Sequence, residues 1–512
     1  MNGAESLLRT AAASGIRICF ANPGTTELPL VAAFDTDTGV RPILCLFEGV
    51  CSGAADGYAR MSGNPAMTLL HLGPGFANGI ANFHNARRAR SAIFSVIGDH
   101  ASWHLASDPP LASDIASLAR PVSGWLRSAD PAGSLSRAAA EAIAAARSGL
   151  VATLIAPHDA QLRDDAVVEA VDDPPPRLRP SSAAVEASAH LLTQAGKGAL
   201  LLGGGGLSER GLRAAARVAA ATGCTLWCDT FPARLERGGD LPSVERVPYF
   251  PERAIEVFSG LSTVVLAGTG PPVSFFGYPG VPGRIIGERT EIANLALPNE
   301  DIGFALESLA EAVGGTEGHL APAESSDRGS RPTGPLTPES LAAVVAGLQP
   351  EGAIVMDEGL TAARAYFSAA ANAPPHTYLA LTGGAIGQGL PCATGAALAC
   401  PDRPVIALQA DGSGMYTLQA LWTQAREGLD VTTVILANRG YQILAVELAR
   451  TGIVEPGPGC RSLTDFDPVP DWTQLARGFG VPAVTVEDAE GLWRELDRAL
   501  AEPGPHLIEV PI

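Results

Sequence analysis

The chain is a succession of short, continuously apolar runs that alternate with alanine- and leucine-rich stretches of helical spacing. In the first third the runs IRICFA (16–21), ILCLF (43–47), AMTLLHL (66–72), AIFSVIG (92–98) and GLVATLIA (149–156) predict strands. Segments 28–34, 53–61 and 134–149 predict helices between them. GALLLGG (198–204), CTLWCD (224–229) and STVVLAG (262–268) continue the pattern in the middle. AIVMDEG (353–359), PVIALQAD (404–411), TTVILAN (432–438) and PHLIEVPI (505–512) continue it in the last third. A strand that is apolar along its whole length must be covered on both faces, which requires a parallel sheet between helical layers. Two segments interrupt the alternation: VDDPPPRLRP (171–180), whose prolines forbid helix and central strand, and the Pro/Ser/Gly-rich 319–340. The expected fold is therefore three doubly wound α/β domains with mainly parallel sheets, over 1–172, 181–320 and 338–512. Ligands of such sheets bind beyond the carboxyl ends of the strands, so the residues just after each strand are the candidates for function.

Charge narrows the possible partners. Against 35 Lys and Arg stand 54 Asp and Glu, a net charge of −19. That balance argues against a nucleic-acid surface and against docking on anionic membranes. No uncharged apolar run is long enough to span a bilayer, and the N-terminal segment lacks the pattern of a signal peptide. The eight scattered cysteines are expected to be reduced thiols of a cytoplasmic protein, Cys224 and Cys228 included.

The strongest local pattern lies in 404–444, which reads strand, loop, helix, strand, loop. Asp411 ends the first strand, followed by Gly412, Ser413 and Gly414, and Asn438 ends the next strand 27 residues later. Adjacent parallel strands bring a carboxylate and a carboxamide side by side, and such hard oxygens suit Mg²⁺ or Ca²⁺. The glycine-rich turn offers backbone N–H groups to an anion. Together these features imply a metal-bound diphosphate.

This segment resembles the diphosphate motif of the thiamine-diphosphate (ThDP) enzymes, with Ala410 and Ala437 replacing two of its usual residues. The resemblance implies Asp411, Asn438 and the Gly440 carbonyl as magnesium ligands, and Gly412 and Ser413 against the diphosphate. A second segment, FEGVCSGAADGYARMSG (47–63), resembles the family's pyrimidine-binding stretch. There Glu48, expected at a strand end, would bind N1′ of the aminopyrimidine and so let the cofactor act as its own base. GGAIGQGLP (383–391) resembles the segment that props the cofactor, with Ile386 beneath the thiazolium and the Gly384 carbonyl on the 4′-amine.

ANPGTTELPLVAAF (21–34) and LLHLGPGFANGIANFHNARRAR (69–90) are similar to the acetolactate synthase large-subunit and benzoylformate decarboxylase branch. The resemblance implies His71 and Thr25 as catalytic residues, and Asn78 beside the pocket. It puts Phe275 or Phe276 where benzoylformate decarboxylase carries a second histidine. Ile443 and Leu444 fall at pocket-lining positions and suggest small or aliphatic acyl groups. His100, His104 and Asp108 follow a strand and could face the cleft.

The reaction so implied is decarboxylation of a small 2-oxo acid and transfer of the acyl carbanion to a second carbonyl, because the Phe positions lack an acid. Simple decarboxylation of the benzoylformate type is the alternative, with a flavin-linked oxidase or a silent ThDP-binding protein behind it. Bound FAD is not expected, since LLGGGGLSERG (201–211) lacks the dinucleotide fingerprint. The resemblance further implies a homodimer or homotetramer with sites at the subunit interface. A regulatory subunit leaves no mark in the sequence.

Overall fold

The computed structural model describes residues 1–512 except 165–166, 170, 172–175 and 317–330. Much of both proline-rich segments thus lies outside the described residues. Among the described residues, eighteen strands form three sheets. The first contains β1 (Ile18–Asn22), β2 (Arg41–Leu44), β3 (Ala66–His71), β4 (Ile93–Asp99), β5 (Trp125–Ser128) and β6 (Val151–Pro157), in the order β2-β1-β3-β4-β6-β5. All its neighbours are parallel. The second contains β7 (Gly198–Leu202), β8 (Thr225–Cys228), β10 (Glu245–Arg246), β11 (Thr263–Ala267) and β12 (Glu291–Ala296), in the order β10-β8-β7-β11-β12.

The third sheet takes β13 (Ile354–Glu358), β14 (His376–Ala380), β15 (Val405–Ala410), β16 (Val431–Ala437), β17 (Ala483–Thr485) and β18 (His506–Pro511). It also receives β9 (Leu235–Arg237) from the middle of the chain, antiparallel on β14. That crossing contribution was not legible, because three residues carry no periodicity. The central strands β6, β7, β11, β15 and β16 are buried at every position, as their unbroken apolar sequences require.

Each sheet has a point where consecutive connections leave in opposite directions: β1/β3, β7/β11 and β13/β15. Crevices form there at the carboxyl ends of the strands. Glu48 requires a correction. The second strand stops at Leu44, and Glu48 is the first residue of the helix Glu48–Ser62, not a strand-end residue. An edge strand with exposed Arg41 and Pro42 ends early, and Phe47 makes the extended turn into the helix. This helix crosses Gly389–Ala399 so closely that a Cβ on Gly57 would stand 2.0 Å from the Cys392 carbonyl oxygen. Among the described residues no helix is long and apolar enough to cross a membrane.

Candidate active site

At the β1/β3 crevice the chain leaves β1 through a 3₁₀ turn, Thr25–Glu27, opposite the end of β3 at His71. Glu27 is fully buried and faces donors only. One carboxylate oxygen meets His71 Nδ1 at 2.7 Å and the Gly24 N–H at 2.8 Å; the other accepts from Thr26 Oγ1 at 2.6 Å. Thr26 Oγ1 also stands 3.2 Å from His71 Nδ1. The histidine ring lies so close over Gly24 that a Cβ there would fall 2.4 Å from Nδ1. Leu72, buried just after the histidine, holds φ at +52°, a strained junction from strand to helix.

Thr25 is exposed, and its hydroxyl makes no hydrogen bond among the described residues; its neighbour Thr26 is the one turned to His71. Sequence reasoning passed over Glu27. The available signal was a lone acid in the turn after an apolar strand. Glu48 is half-buried and accepts from Asn78 Nδ2 at 3.0 Å. Gly75 leaves room for that carboxylate, since a Cβ there would stand 3.1 Å from Oε1. Asp99, at the end of β4, has its carboxyl pushed up by burial, and the nearby Glu27 adds to the shift. His100 and His104 face each other edge on, 5.8 Å apart. No cluster of three or more His, Cys, Asp or Glu able to hold a metal occurs among the described residues.

The second group gathers on the third sheet. Ala410 pairs with Leu436 across β15 and β16, so the loops opening at Asp411 and Asn438 run side by side. Asp411 is buried; its oxygens accept from the Gly412 N–H at 2.8 Å and the Arg439 N–H at 2.7 Å. Burial pushes its carboxyl up, and those two donors pull it back. It forms no ion pair among the described residues. A buried carboxylate without a cationic partner, beside a carboxamide, fits a hard divalent cation. Asn438 Oδ1 accepts from the Gly440 N–H at 3.3 Å. A Cβ on Gly412 would stand 2.8 Å from the rings of Tyr441 and Phe466. Ser413 Oγ accepts from Gln409 Nε2 and donates to the Ala410 carbonyl.

The 383–391 loop is secured from two sides. Asn85 exchanges hydrogen bonds with Ala385, and both Asn82 Nδ2 and Thr417 Oγ1 donate to the Gly387 carbonyl. From beneath, the fully buried Glu358 at the end of β13 accepts the N–H of Gly387 at 2.6 Å and that of Gly389. Burial pushes the Glu358 carboxyl up to about 7. Arg60 and Asp56, a buried pair, extend the network to Thr382 and Gln388. Glu358 and Arg60 were not singled out from sequence, where an acid at a strand end and an arginine in a helix look ordinary.

Ile386 is half-buried, and Gly384 adopts φ +78°. The Phe275 ring lies directly over Gly384, where a Cβ would stand 2.6 Å from its Cζ. Phe276 packs on Phe275, while Ile443 and the exposed Leu444 begin the helix Gln442–Arg450. No hydrogen bond or ion pair among the described residues joins Glu48, His71 or Asn78 to Asp411 or Asn438. In one chain these are two separate groups. At the β7/β11 crevice, a cavity of about 1090 Å³ is lined by Gly203–Gly205, Asp229 and Thr269.

Comparison with known proteins matches the segments carrying both groups to described domains. Residues 1–116 match the N-terminal TPP binding domain of thiamine pyrophosphate enzymes, and 359–510 match the C-terminal TPP binding domain. Over 515 residues the chain is 48% identical to a Mycobacterium tuberculosis protein provisionally named acetolactate synthase large subunit IlvX, covering 100% of this chain and 99% of that one. It is 30% identical to benzoylformate decarboxylase of Pseudomonas aeruginosa over 541 residues, covering 97% and 96%. The solved 4-hydroxybenzoylformate decarboxylase of Rhodococcus jostii RHA1 superposes with a TM-score of 0.87 at 25% identity, covering 100% and 99%.

Proposed function

The chain belongs to the thiamine pyrophosphate enzyme family, and on that footing we propose a ThDP- and Mg²⁺-dependent carboligase that decarboxylates a 2-oxo acid and transfers its acyl group to a second carbonyl. Glu48 would hold the aminopyrimidine, the Gly384 carbonyl its amine and Ile386 the bend of the cofactor. The Gly412 and Ser413 amides would take the diphosphate; Asp411, Asn438 and the Gly440 carbonyl would take magnesium. When bound, ThDP supplies the electron sink that lets a 2-oxo acid lose CO₂.

The chain's own residues govern the proton. Glu27 holds the Nδ1 side of His71, so Nε2 is the nitrogen free to orient the substrate or pass it a proton. The observation that carries the carboligase reading is Phe275 on Gly384. It sets an apolar ring beside the cofactor loop. The Tyr249 ring packs on it, and its hydroxyl is pushed up to about 12, chiefly by burial. Protonation of the acyl group to an aldehyde is thereby slowed relative to its capture by a second carbonyl. A difference of about 1.4 kcal/mol in barrier changes that ratio tenfold.

Simple decarboxylation is the second reading, favoured by the Glu27–His71 pair, which can deliver a proton by itself. The openness of Glu48 and Asn78 in a single chain supports a homodimer or homotetramer in which a second copy completes each site. The deciding experiment supplies ThDP, Mg²⁺ and pyruvate or benzoylformate, and follows CO₂ and products by mass spectrometry. Acetolactate or another acyloin supports carboligation. Free aldehyde alone overturns it in favour of the decarboxylase.

A further inference from the structure

The segment that carries Phe275 is a closed loop. An antiparallel bridge joins Val273 to Arg284, and Ser274 bonds to the carbonyls of Gly283 and Pro282, both at 2.9 Å. Pro271 and Pro272 stiffen its approach. The tip does not hang free. Tyr278 Oη donates to Glu447 Oε1 at 2.9 Å, on the helix that follows the Asn438–Gly440 loop. The Arg450 guanidinium sits between two rings, 4.5 Å from the centre of Tyr278 and 4.6 Å from that of Phe250. It pairs with Glu252 at 2.8 Å and Glu447 at 3.4 Å. Ile443, Glu447 and Arg450 fall on one helix face by their spacing, so Ile443 lies on the side turned to the loop.

The clasp therefore fixes one end of an aromatic wall, and Gly384 receives the other. Phe275 also packs on Phe231 and Tyr249 at 5.9 and 5.2 Å. Yet it remains 40% exposed and Phe276 54% exposed, an apolar surface held open beside the cofactor loop. Rings locked in place and left uncovered are suited to receive a hydrocarbon group.

We propose that Phe275 and Phe276 are specificity-determining residues, the wall against which the substituent of a 2-oxo acid packs, and that Arg450 is a positioning residue that fixes this wall through Tyr278 and Glu447. The substrate class is a 2-oxo acid with an aryl or branched-alkyl substituent, in preference to one bearing a second charge. The inference rests on the proposed decarboxylation of a 2-oxo acid.

The test uses enzyme loaded with ThDP and Mg²⁺. Parent, Phe276→Ala and Arg450→Ala are compared on pyruvate, 3-methyl-2-oxobutanoate, benzoylformate and 2-oxoglutarate. Chymotryptic cleavage at 275–278 is followed in parallel, with thermal melting as a check on folding. Phe276→Ala should lower kcat/KM for benzoylformate relative to pyruvate by about tenfold, mostly through KM, as loss of hydrocarbon contact does. Arg450→Ala should shift the ratio in the same direction and open the tip to chymotrypsin. Turnover with unchanged ratios in both variants overturns the wall and leaves the reaction standing. A tip as resistant in Arg450→Ala as in the parent overturns the clasp. No turnover of any of the four by ThDP-loaded parent overturns the reaction and the wall with it, and cleavage alone then judges the clasp.

Discussion

Replacing Glu358 by glutamine tests how the 383–391 loop is supported. The carboxyl is fully buried, and each of its oxygens accepts one backbone N–H, from Gly387 and Gly389. Gln409 Oε1 is buried without a donor and sits against Gly389, as Glu358 does. The raised carboxyl, about 7 against an ordinary 4.5, means that the folded state binds the proton more tightly than the unfolded chain. The stability it contributes is complete below about pH 4.5 and is lost as pH rises through 7. The shift of 7 − 4.5 = 2.5 corresponds to about 3 kcal/mol, an order-of-magnitude figure for a buried group.

Glutamine can accept only one of the two N–H groups and turns an amide hydrogen to the other, at a cost of about 1–3 kcal/mol. At pH 5 the parent should therefore be the more stable protein by about that amount. By pH 8 the parent has lost its advantage and the two should converge. Melting temperature against pH, without added cofactor, measures the difference. A parent-minus-variant gap that stays constant from pH 5 to 8 would refute the titration of Glu358.

Three further outcomes are expected. Glu27→Gln retains a partner for His71 but replaces a charged acceptor with a neutral one, so kcat should fall by about tenfold while ThDP affinity holds; unchanged kcat would mean that the pair serves folding only. Glu48→Gln should leave ThDP bound, by tryptophan fluorescence titration, and cut turnover by about a hundredfold or more; full activity would contradict its assignment to the pyrimidine. Asp411→Asn should weaken ThDP binding in Mg²⁺ by more than about tenfold, and chelation should weaken the parent likewise; a parent indifferent to chelation would remove magnesium from the reading.

The three-sheet architecture was legible because its central strands are buried at every position and announce themselves as apolar runs. The pairing of the Asp411 and Asn438 loops was legible for a local reason too. Asp411 and Asn438 each end such a run, and neighbouring parallel strands must bring their ends together. Where direction at a single residue mattered, spacing was too coarse. Thr25 and Thr26 are adjacent in a tight turn, and only the second faces His71. Glu48 was expected at the end of a strand that stops at Leu44.

By itself, then, the sequence determined the sheets, the strand-end residues available for chemistry and the family, since these depend on periodicity and short-range motifs. Only tertiary structure decided which partners those residues have. Glu27 meets His71 across 44 positions, Gln388 meets Asp56 across 332, and Phe275 settles on Gly384 from the loop between β11 and β12. Such contacts are fixed by packing and burial once distant segments condense. No local pattern records them, because each partner alone is compatible with many neighbours.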